Sequence, residues 1–383
     1  MSHNHHAAAG AALLEASPSS AGFPECFGVY VHVPFCRRRC DYCAFATWTD
    51  RHHLMGDYAR ACATEAATSD LPPATSVYFG GGTPSLLRAA DLLGVLDTLA
   101  LAPDAEVTVE CNPDDVDAEL LGAYRAGGVT RLSFGAQSMA EHVLVSLGRR
   151  QDPAAVAAAA RLAGGEGFAG SYSVDLIYGA VNETVDDWRR SVEAVLALDP
   201  PPSHVSAYAL TVEAGTPLAR DPGRHPDSDD QADKYEVVDE MLGDAGLAWY
   251  ELSNWARPGA ESRHNQLYWS QGPYRGIGCS AHSHALDPAG GGSRRWWNVR
   301  APERYQRLVA AGESPEAAGE TLDSSARRRE GLELMLRTRS GIPADNLDHE
   351  PAMSGLVERV GERVVLTRRG RLLANEVALR IRA

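Results

Sequence analysis

The sequence predicts an α/β fold: a parallel sheet with helices outside, curled into a full or partial barrel of six β/α units, then a small C-terminal module. Three observations predict it. Short β-branched or aromatic runs alternate six times with Ala- and Leu-rich stretches of helical length. The most unusual polar residues fall just past the ends of those runs. From about residue 320 the pattern changes to helix, short strands and helix. Strands that alternate with helices build parallel sheets, and right-handed crossovers curl such sheets toward a barrel with ligands at the C-terminal strand ends.

Residues 1–25, with His3, His5 and His6 ahead of Ala-, Ser- and Pro-rich sequence, carry no periodic pattern and read as a disordered tail. Strands are expected at 28–33, 76–79, 106–110, 131–135, 172–177 and 204–210. Helices are expected between them, at about 57–69, 86–100, 116–126, 152–164 and 184–198. Residues 219–230 read as a polar, Pro-rich loop and 287–293 as a Gly-rich turn. Further on, 327–336 reads as a helix, 356–359 and 364–367 as short strands, and 368–379 as a basic amphipathic helix, an order resembling a winged helix. Arg368, Arg369 and Arg371 alone are weak grounds for DNA binding, and an adaptor role is favoured.

Bulk properties narrow the function. With 36 basic against 51 acidic residues the net charge is −15, which argues against a general nucleic-acid binder. No apolar run approaches membrane-spanning length, so no membrane anchor and a cytoplasmic location are expected.

Cys36, Cys40 and Cys43, spaced C-x3-C-x2-C directly after the first strand, are the most informative residues. Three soft thiolates on one loop suit three corners of an iron–sulfur cubane, leaving a fourth iron open. A structural zinc site would want four ligands, and the nearby His32 sits within the strand pattern between Val31 and Val33. A disulfide fits a reducing compartment poorly. Cys26, Cys62, Cys111 and Cys279 read by default as small buried hydrophobes.

The other strand ends carry ligand-type chemistry. Gly80-Gly81-Gly82-Thr83-Pro84-Ser85 follows the second strand; glycines let a backbone approach a ligand, and their N–H groups can face an anion or carbonyl. No Gly-Lys-Ser/Thr follows, so this is no P-loop. Glu110 ends the third strand, where a carboxylate can accept from ribose hydroxyls, and Gln137 and Arg149 follow the fourth. Asp175 interrupts the apolar fifth strand, a place where a charge needs a partner or a ligand.

In order, Tyr30-Val-His-Val-Pro-Phe-Cys36-Arg-Arg-Arg-Cys40-Asp-Tyr42-Cys43, Gly-Gly-Gly-Thr-Pro-Ser, Glu-Cys-Asn-Pro, Gly-Ala-Gln-Ser, Leu-Gly-Arg and Val-Asp-Leu-Ile resemble the radical S-adenosylmethionine (SAM) superfamily. More narrowly they resemble the branch that holds oxygen-independent coproporphyrinogen III oxidase and the heme chaperone HemW. The resemblance, over about residues 28–340, implies a partial (β/α)6 TIM-like barrel. It implies a [4Fe-4S] cluster on Cys36, Cys40 and Cys43, with SAM completing the open iron. It further implies that Tyr30, Tyr42, Gly81, Gly82, Thr83, Glu110, Gln137, Arg149 and Asp175 line the SAM site. The chemistry implied is one-electron cleavage of the sulfonium C–S bond, releasing a 5′-deoxyadenosyl radical.

Two features choose within the branch. The oxidase has a further Cys two residues past the third, where this chain has Phe45, and its long amino-terminal extension is missing here. Arg263-His264-Asn265-Gln-Leu-Tyr268-Trp269 resembles the HemW heme-binding motif, which implies heme at His264, Asn265, Tyr268 and Trp269. His264 offers an imidazole, and Tyr268 and Trp269 flat faces. Cys279 and His282 lie in a family-like segment with no role assigned, and Trp296 and Trp297 read as packing residues. The expected organisation is a tail (1–25), a barrel core (26–250), an extension with the heme motif (251–320) and a winged-helix-like domain (321–383). The expected function is a heme chaperone, with heme-acceptor proteins and an electron donor as partners and a homodimer as a possible state. The alternative is the oxidase, decarboxylating coproporphyrinogen III; a radical-SAM tailoring enzyme such as a methyltransferase shares the SAM parts but not the 263–269 segment.

Overall fold

The computed structural model describes residues 26–288, 291–348 and 353–383; the expected tail and part of the 287–293 turn lie outside the described residues. The barrel units are β1 (Gly28–Val33), α1 (Met55–Thr68), β2 (Ala74–Gly81), α2 (Ala89–Leu96), β3 (Leu101–Cys111), α3 (Ala118–Ala126), β4 (Arg131–Gln137), α4 (Glu141–Ser146), α5 (Pro153–Gly165), β5 (Tyr172–Tyr178), α6 (Val185–Leu196) and β6 (His204–Ala209). Next come α7 (Ser228–Asp244), β7 (Ala248–Glu251), β8 (Asn254–Ala256), α8 (Arg263–Trp269), β9 (Tyr274–Ile277), β10 (His282–Leu286), β11 (Ser293–Asn298), α9 (Pro302–Ala310) and β12 (Glu316–Leu322). The chain ends in α10 (Ser324–Leu336), β13 (Ile342–Pro343), β14 (Val357–Val360), β15 (Arg363–Leu366), α11 (Arg368–Leu372) and α12 (Ala374–Ala378).

The fold is the expected α/β class, built on one open sheet of twelve strands in the order β12-β11-β10-β9-β1-β2-β3-β4-β5-β6-β8-β7. β1 to β6 run parallel as expected, and β9 adds a seventh parallel strand beside β1. The 251–320 extension therefore continues the sheet rather than forming a layer of its own. β10, β11 and β12 join antiparallel on that edge, β8 and β7 on the other.

Period-two alternation gives the parallel sheet two unlike faces. Val29, Val31, Val33, Val77, Phe79, Val107, Val109, Leu132, Phe134, Val174, Leu176 and Val205 point out under the helices and are at most 1% exposed. The opposite face carries Tyr30, His32, Tyr78, Glu110, Ser133, Asp175 and Ser206. A polar inner face is what a sheet lining a ligand cavity needs, since a closed core would have to satisfy every one of these groups. Thr108 Oγ1, Arg131 Nη2 and His204 Nδ1, on this face, are buried with no hydrogen-bond partner among the described residues.

Two helix expectations change. The 219–230 loop is shorter, because α7 begins at Ser228, capped by the Asp227 side chain on the Asp229 and Asp230 N–H groups. Its Lys234 is fully buried between Glu183 and Asp230, which hides the helix's packed face behind a polar sequence. The 368–379 helix is two short ones, broken at Leu373. The C-terminal sheet, β13-β15-β14, has its own core around Leu332, Leu336, Ile342, Val364 and Leu366. Arg371 makes two hydrogen bonds to Asp239 of α7 and lies over Trp249, and Arg368 also pairs with Asp239. Arg368 and Arg371 are thereby tied into an intramolecular joint.

Candidate functional site

The cluster loop leaves β1 at Pro34 and is fastened on every side. Trp48 N–H donates to Pro34 O (2.7 Å) and Cys36 N–H to Trp48 O (3.1 Å), closing the loop at its neck. His32 reaches across from β1: its Nε2 lies 3.0 Å from Ala46 O and its Nδ1 3.0 Å from Tyr30 Oη. A carbonyl beside Nε2 requires the proton there, so Nδ1 accepts from the Tyr30 hydroxyl. Burial lowers the His32 pKa to about 4, with His282 nearby adding to the effect, so the ring stays neutral. With both nitrogens engaged, His32 is a brace of the loop rather than a fourth ligand.

The far side of the loop is held by elements that the sequence singled out. Asp41 N–H donates to Leu147 O (3.1 Å), and Leu218 N–H to Asp41 O (3.0 Å). Arg224, from the Pro-rich loop, donates to Asp41 Oδ2 at 2.7 Å. Gly148 has φ +72° and a Cβ there would fall 2.6 Å from Asp41 Oδ1, so the Leu-Gly-Arg motif has glycine because the cluster loop presses against it. Arg149 then reaches Cys40 Sγ (3.5 Å), Asn112 Oδ1 (3.0 Å) and Gly135 O (3.2 Å), linking the loop to β3 and β4.

The glycine segment meets an anion and carbonyls of the chain itself: Gly81 N–H donates to Glu110 Oε2 (3.1 Å), Gly82 N–H to Val33 O (2.8 Å) and Thr83 N–H to Phe35 O (2.8 Å). What the glycines supply is close approach. A Cβ on Gly82 would sit 2.6 Å from Phe35 O, and on Gly81 2.3 Å from His32 Nδ1. Thr83 Oγ1 lies 3.7 Å from Cys36 Sγ.

Of the remaining expected SAM-site residues, Glu110 and Asp175 lie on the inner face. Glu110 accepts from Tyr78 Oη (2.9 Å) as well as Gly81, and burial, aided by Asp175, raises its pKa to about 7. Asp175 accepts from Ser133 Oγ (3.0 Å) and Ser206 Oγ (2.7 Å), and burial raises its pKa too. Gln137 has φ +65° at a register shift between β4 and β5, a strained conformation for a non-glycine residue that turns it at the strand end. Tyr42 packs beside Val143 and Ile177.

All seven cysteines are free thiols. Cys36, Cys40 and Cys43 are half-buried on their loop, and burial pushes the Cys36 thiol up to about 11 and raises Cys43, so binding a metal there must expel protons. Among the described residues no three His, Cys, Asp or Glu side chains converge as a cage for one ion. The fit to an iron–sulfur group rests on the donor set, three thiols on one braced loop above a polar inner face. Cys62, Cys111 and Cys279 are buried as expected, whereas Cys26 is exposed.

The 263–269 segment lies at the other end of the barrel. His264 N–H donates to Glu106 Oε1 (3.1 Å), its Nδ1 pairs with Ser76 Oγ (2.9 Å), and its Cε1 lies 3.2 Å from where a Gly28 Cβ would be. Gly28, the first residue of β1, forms one row with Ser76 of β2 and Glu106 of β3. The cluster loop leaves five residues further along β1, about 16 Å at 3.3 Å per residue. His264 Nε2 is paired with Tyr268 Oη (2.8 Å), and burial lowers its pKa to about 3. Both ring nitrogens are therefore occupied. Asn265 N–H donates to Ser262 Oγ (3.2 Å). His264 is buried, whereas Asn265, Tyr268 and Trp269 are half-buried.

A family-wide sequence model described as the Radical SAM superfamily matches residues 30–195. The heme chaperone HemW of Mycobacterium tuberculosis is 45% identical over 94% of this chain and 96% of its own. HemW of Escherichia coli is 36% identical over 68% of this chain and 71% of its own. Among solved structures, coproporphyrinogen III oxidase (HemN) from E. coli superposes with a TM-score of 0.78 at 23% identity, over 92% of this chain and 89% of that one. That last likeness concerns the fold alone. Among the described residues no helix is long and apolar enough to cross a membrane.

Proposed function

This chain belongs to the HemW family of the radical SAM superfamily, and on that premise we propose that it binds heme and hands it to acceptor proteins while carrying a [4Fe-4S] cluster and SAM. The observation that carries the reading is the 45% identity to a heme chaperone across nearly the whole of both chains. Phe45, 64% exposed where the oxidase has a further Cys, supports it against the decarboxylase.

Cys36, Cys40 and Cys43 would hold the cluster, which, supplied with an electron by a donor protein, gives the site its capacity for one-electron chemistry on a sulfonium. The chain's own work is placement. His32, Asp41 and Arg224 brace the loop, and Arg149 sets a positive charge beside Cys40. Tyr30, Tyr42, Gly81, Gly82, Thr83, Gln137 and Asp175 would shape the SAM pocket, with Glu110 positioned for ribose hydroxyls. In this reading Arg263–Trp269 shapes the heme region from below: His264 and Asn265 anchor the segment, and Tyr268 and Trp269 offer flat faces.

The test is anaerobic. Reconstituted protein is titrated with hemin and assayed for decarboxylation of coproporphyrinogen III. Stoichiometric heme binding without protoporphyrinogen formation is expected; efficient conversion would overturn the chaperone reading.

Glu110 adds a pH signature. Its carboxyl is largely protonated below about pH 7 and ionises above it, and the carboxylate is the stronger acceptor for ribose hydroxyls. SAM affinity, measured by equilibrium dialysis, is expected to rise about tenfold from pH 6 to pH 8 in the wild type and to stay flat in Glu110→Gln. A parallel rise in both proteins would remove Glu110 from the SAM site.

A further inference from the structure

Heme iron is held in proteins by an imidazole, a thiolate, a thioether or a phenolate, and His264 has neither ring nitrogen to offer without breaking the bond to Ser76 or to Tyr268. We infer that His282, at the cluster end of the sheet and stacked on Trp297, would hold the iron of the porphyrin. The inference rests on the heme-carrier reading and deepens it.

The placement follows from register. Tyr30 of β1 is opposite Gly276 of β9, and Gly28 is opposite Tyr274. Tyr274 is in turn opposite His284 of β10. Opposed residues share a face, and the period of two puts His282 on that same face. The inner surface that carries Tyr30, Tyr78 and Glu110 thus runs on, past β9, into His282.

Its height follows from direction. β9 is parallel to β1, so its end at Ile277, opposite Val31, points to the cluster end. β10 returns antiparallel, and His282 is its first residue. The turn between them is pressed onto the end of β1. Gly278, at φ +98°, would put a Cβ 2.8 Å from His32 O and 2.5 Å from Tyr58 Oη, and a Gly276 Cβ would fall 2.1 Å from His282 O. Cys279 N–H donates to Tyr58 Oη at 2.8 Å, and Tyr58 Oη donates to His32 O at 2.8 Å. The two glycines and the Tyr58 bridge fix His282 relative to the strand that leads into the cluster loop.

The imidazole itself is available. His282 is exposed and has no hydrogen-bond partner among the described residues. Its ring stacks on Trp297 at 5.5 Å and 27°, which orients the imidazole and offers a half-buried indole beside it. Trp297 is its partner across β10 and β11. A nitrogen donor beside a flat apolar face suits an iron porphyrin.

The experiment titrates hemin into full-length wild type, His282→Ala and His264→Ala, following the Soret band and the ferric spin-state signature by EPR. Wild type is expected to show imidazole-ligated heme. His282→Ala is expected to lose that signature and to bind at least about tenfold more weakly, with added imidazole restoring the signature. Folded His264→Ala, which loosens the segment below, is expected to bind hemin more weakly but with the imidazole signature intact. An unchanged signature and affinity in His282→Ala overturns the assignment, as does loss of the signature confined to His264→Ala. Wild type that takes up no hemin overturns the heme-carrier reading itself, a result readable without either variant.

Discussion

Replacing Cys40 with Ser is expected to abolish the iron–sulfur absorbance of the anaerobically reconstituted chain and to reduce its bound iron from about four atoms toward zero. The size of the effect follows from ligand count. Three thiols hold three corners, so removing one leaves two, and an alcohol oxygen is a poor substitute for soft sulfur. The effect should be local. The loop's backbone is tied at Cys36, Asp41, Ala46 and Trp48 by bonds that do not involve the Cys40 side chain. Denaturant unfolding of the apo forms should therefore agree to within about 1 kcal/mol. A brown, iron-loaded Cys40→Ser protein would contradict the ligand assignment.

Replacing Glu65 with Ala is expected to remove about 3–5 kcal/mol of stability, read as a shift in the denaturation midpoint. Glu65 is 4% exposed on α1 and is the point where the extension docks onto the barrel. It accepts from Arg275 Nη2 (3.1 Å) of β9, Asn298 Nδ2 (3.0 Å) of β11, Gly278 N–H (2.9 Å) of the β9–β10 turn and Tyr305 Oη (2.6 Å) of α9. Alanine would strand a guanidinium, an amide, a backbone N–H and a phenol together, each left with its desolvation penalty. Glu65→Gln, which keeps acceptor capacity but loses the charge, should fall between. A loss below about 1 kcal/mol in Glu65→Ala would show that water replaces the carboxylate and that the joint is looser than drawn.

Much of this architecture is legible in the chain. The run 28–33 is a strand over those very residues, and the starts of β4, β5 and β6 coincide with the sequence reading, because β-branched and aromatic residues bounded by Gly and polar residues leave little choice. The ligand-type residues at strand ends do converge on one face, since a period of two and parallel pairing carry each to the same side. What the sequence hides is tertiary. Tyr274–Ile277 is four residues long and half of its inner-face positions are glycine, so nothing local says that it pairs with β1. α7 reads as polar because Lys234 and Asp239 are buried through charged partners, Glu183 and Arg371, that lie on other elements far along the chain. The Gly-Gly-Gly motif announces close approach but not to what, and the structure answers that it is the loop's own carbonyls.

The 263–269 motif shows the same limit from the other direction. Its composition, an imidazole beside two aromatic rings, describes a porphyrin site well. Its position is fixed by Ser262 capping α8 and by Glu106 receiving the N–H groups of Arg263 and His264, contacts spanning over 150 residues that no spacing rule reports. At the start of the strands it closes the barrel's lower end, where residues mostly serve stability. His282, which the sequence leaves without a role, is carried to the cluster end by a turn whose geometry depends on Gly276 and Gly278.

The central proposal is that three thiols of the 36–43 loop would hold an iron–sulfur cubane and leave one iron open to SAM. EPR of the dithionite-reduced, reconstituted chain, recorded with and without SAM, tests it directly. A [4Fe-4S] signal whose g-values shift when SAM is added is the predicted result. A signal indifferent to SAM, or a preparation that binds zinc in place of iron, would contradict it.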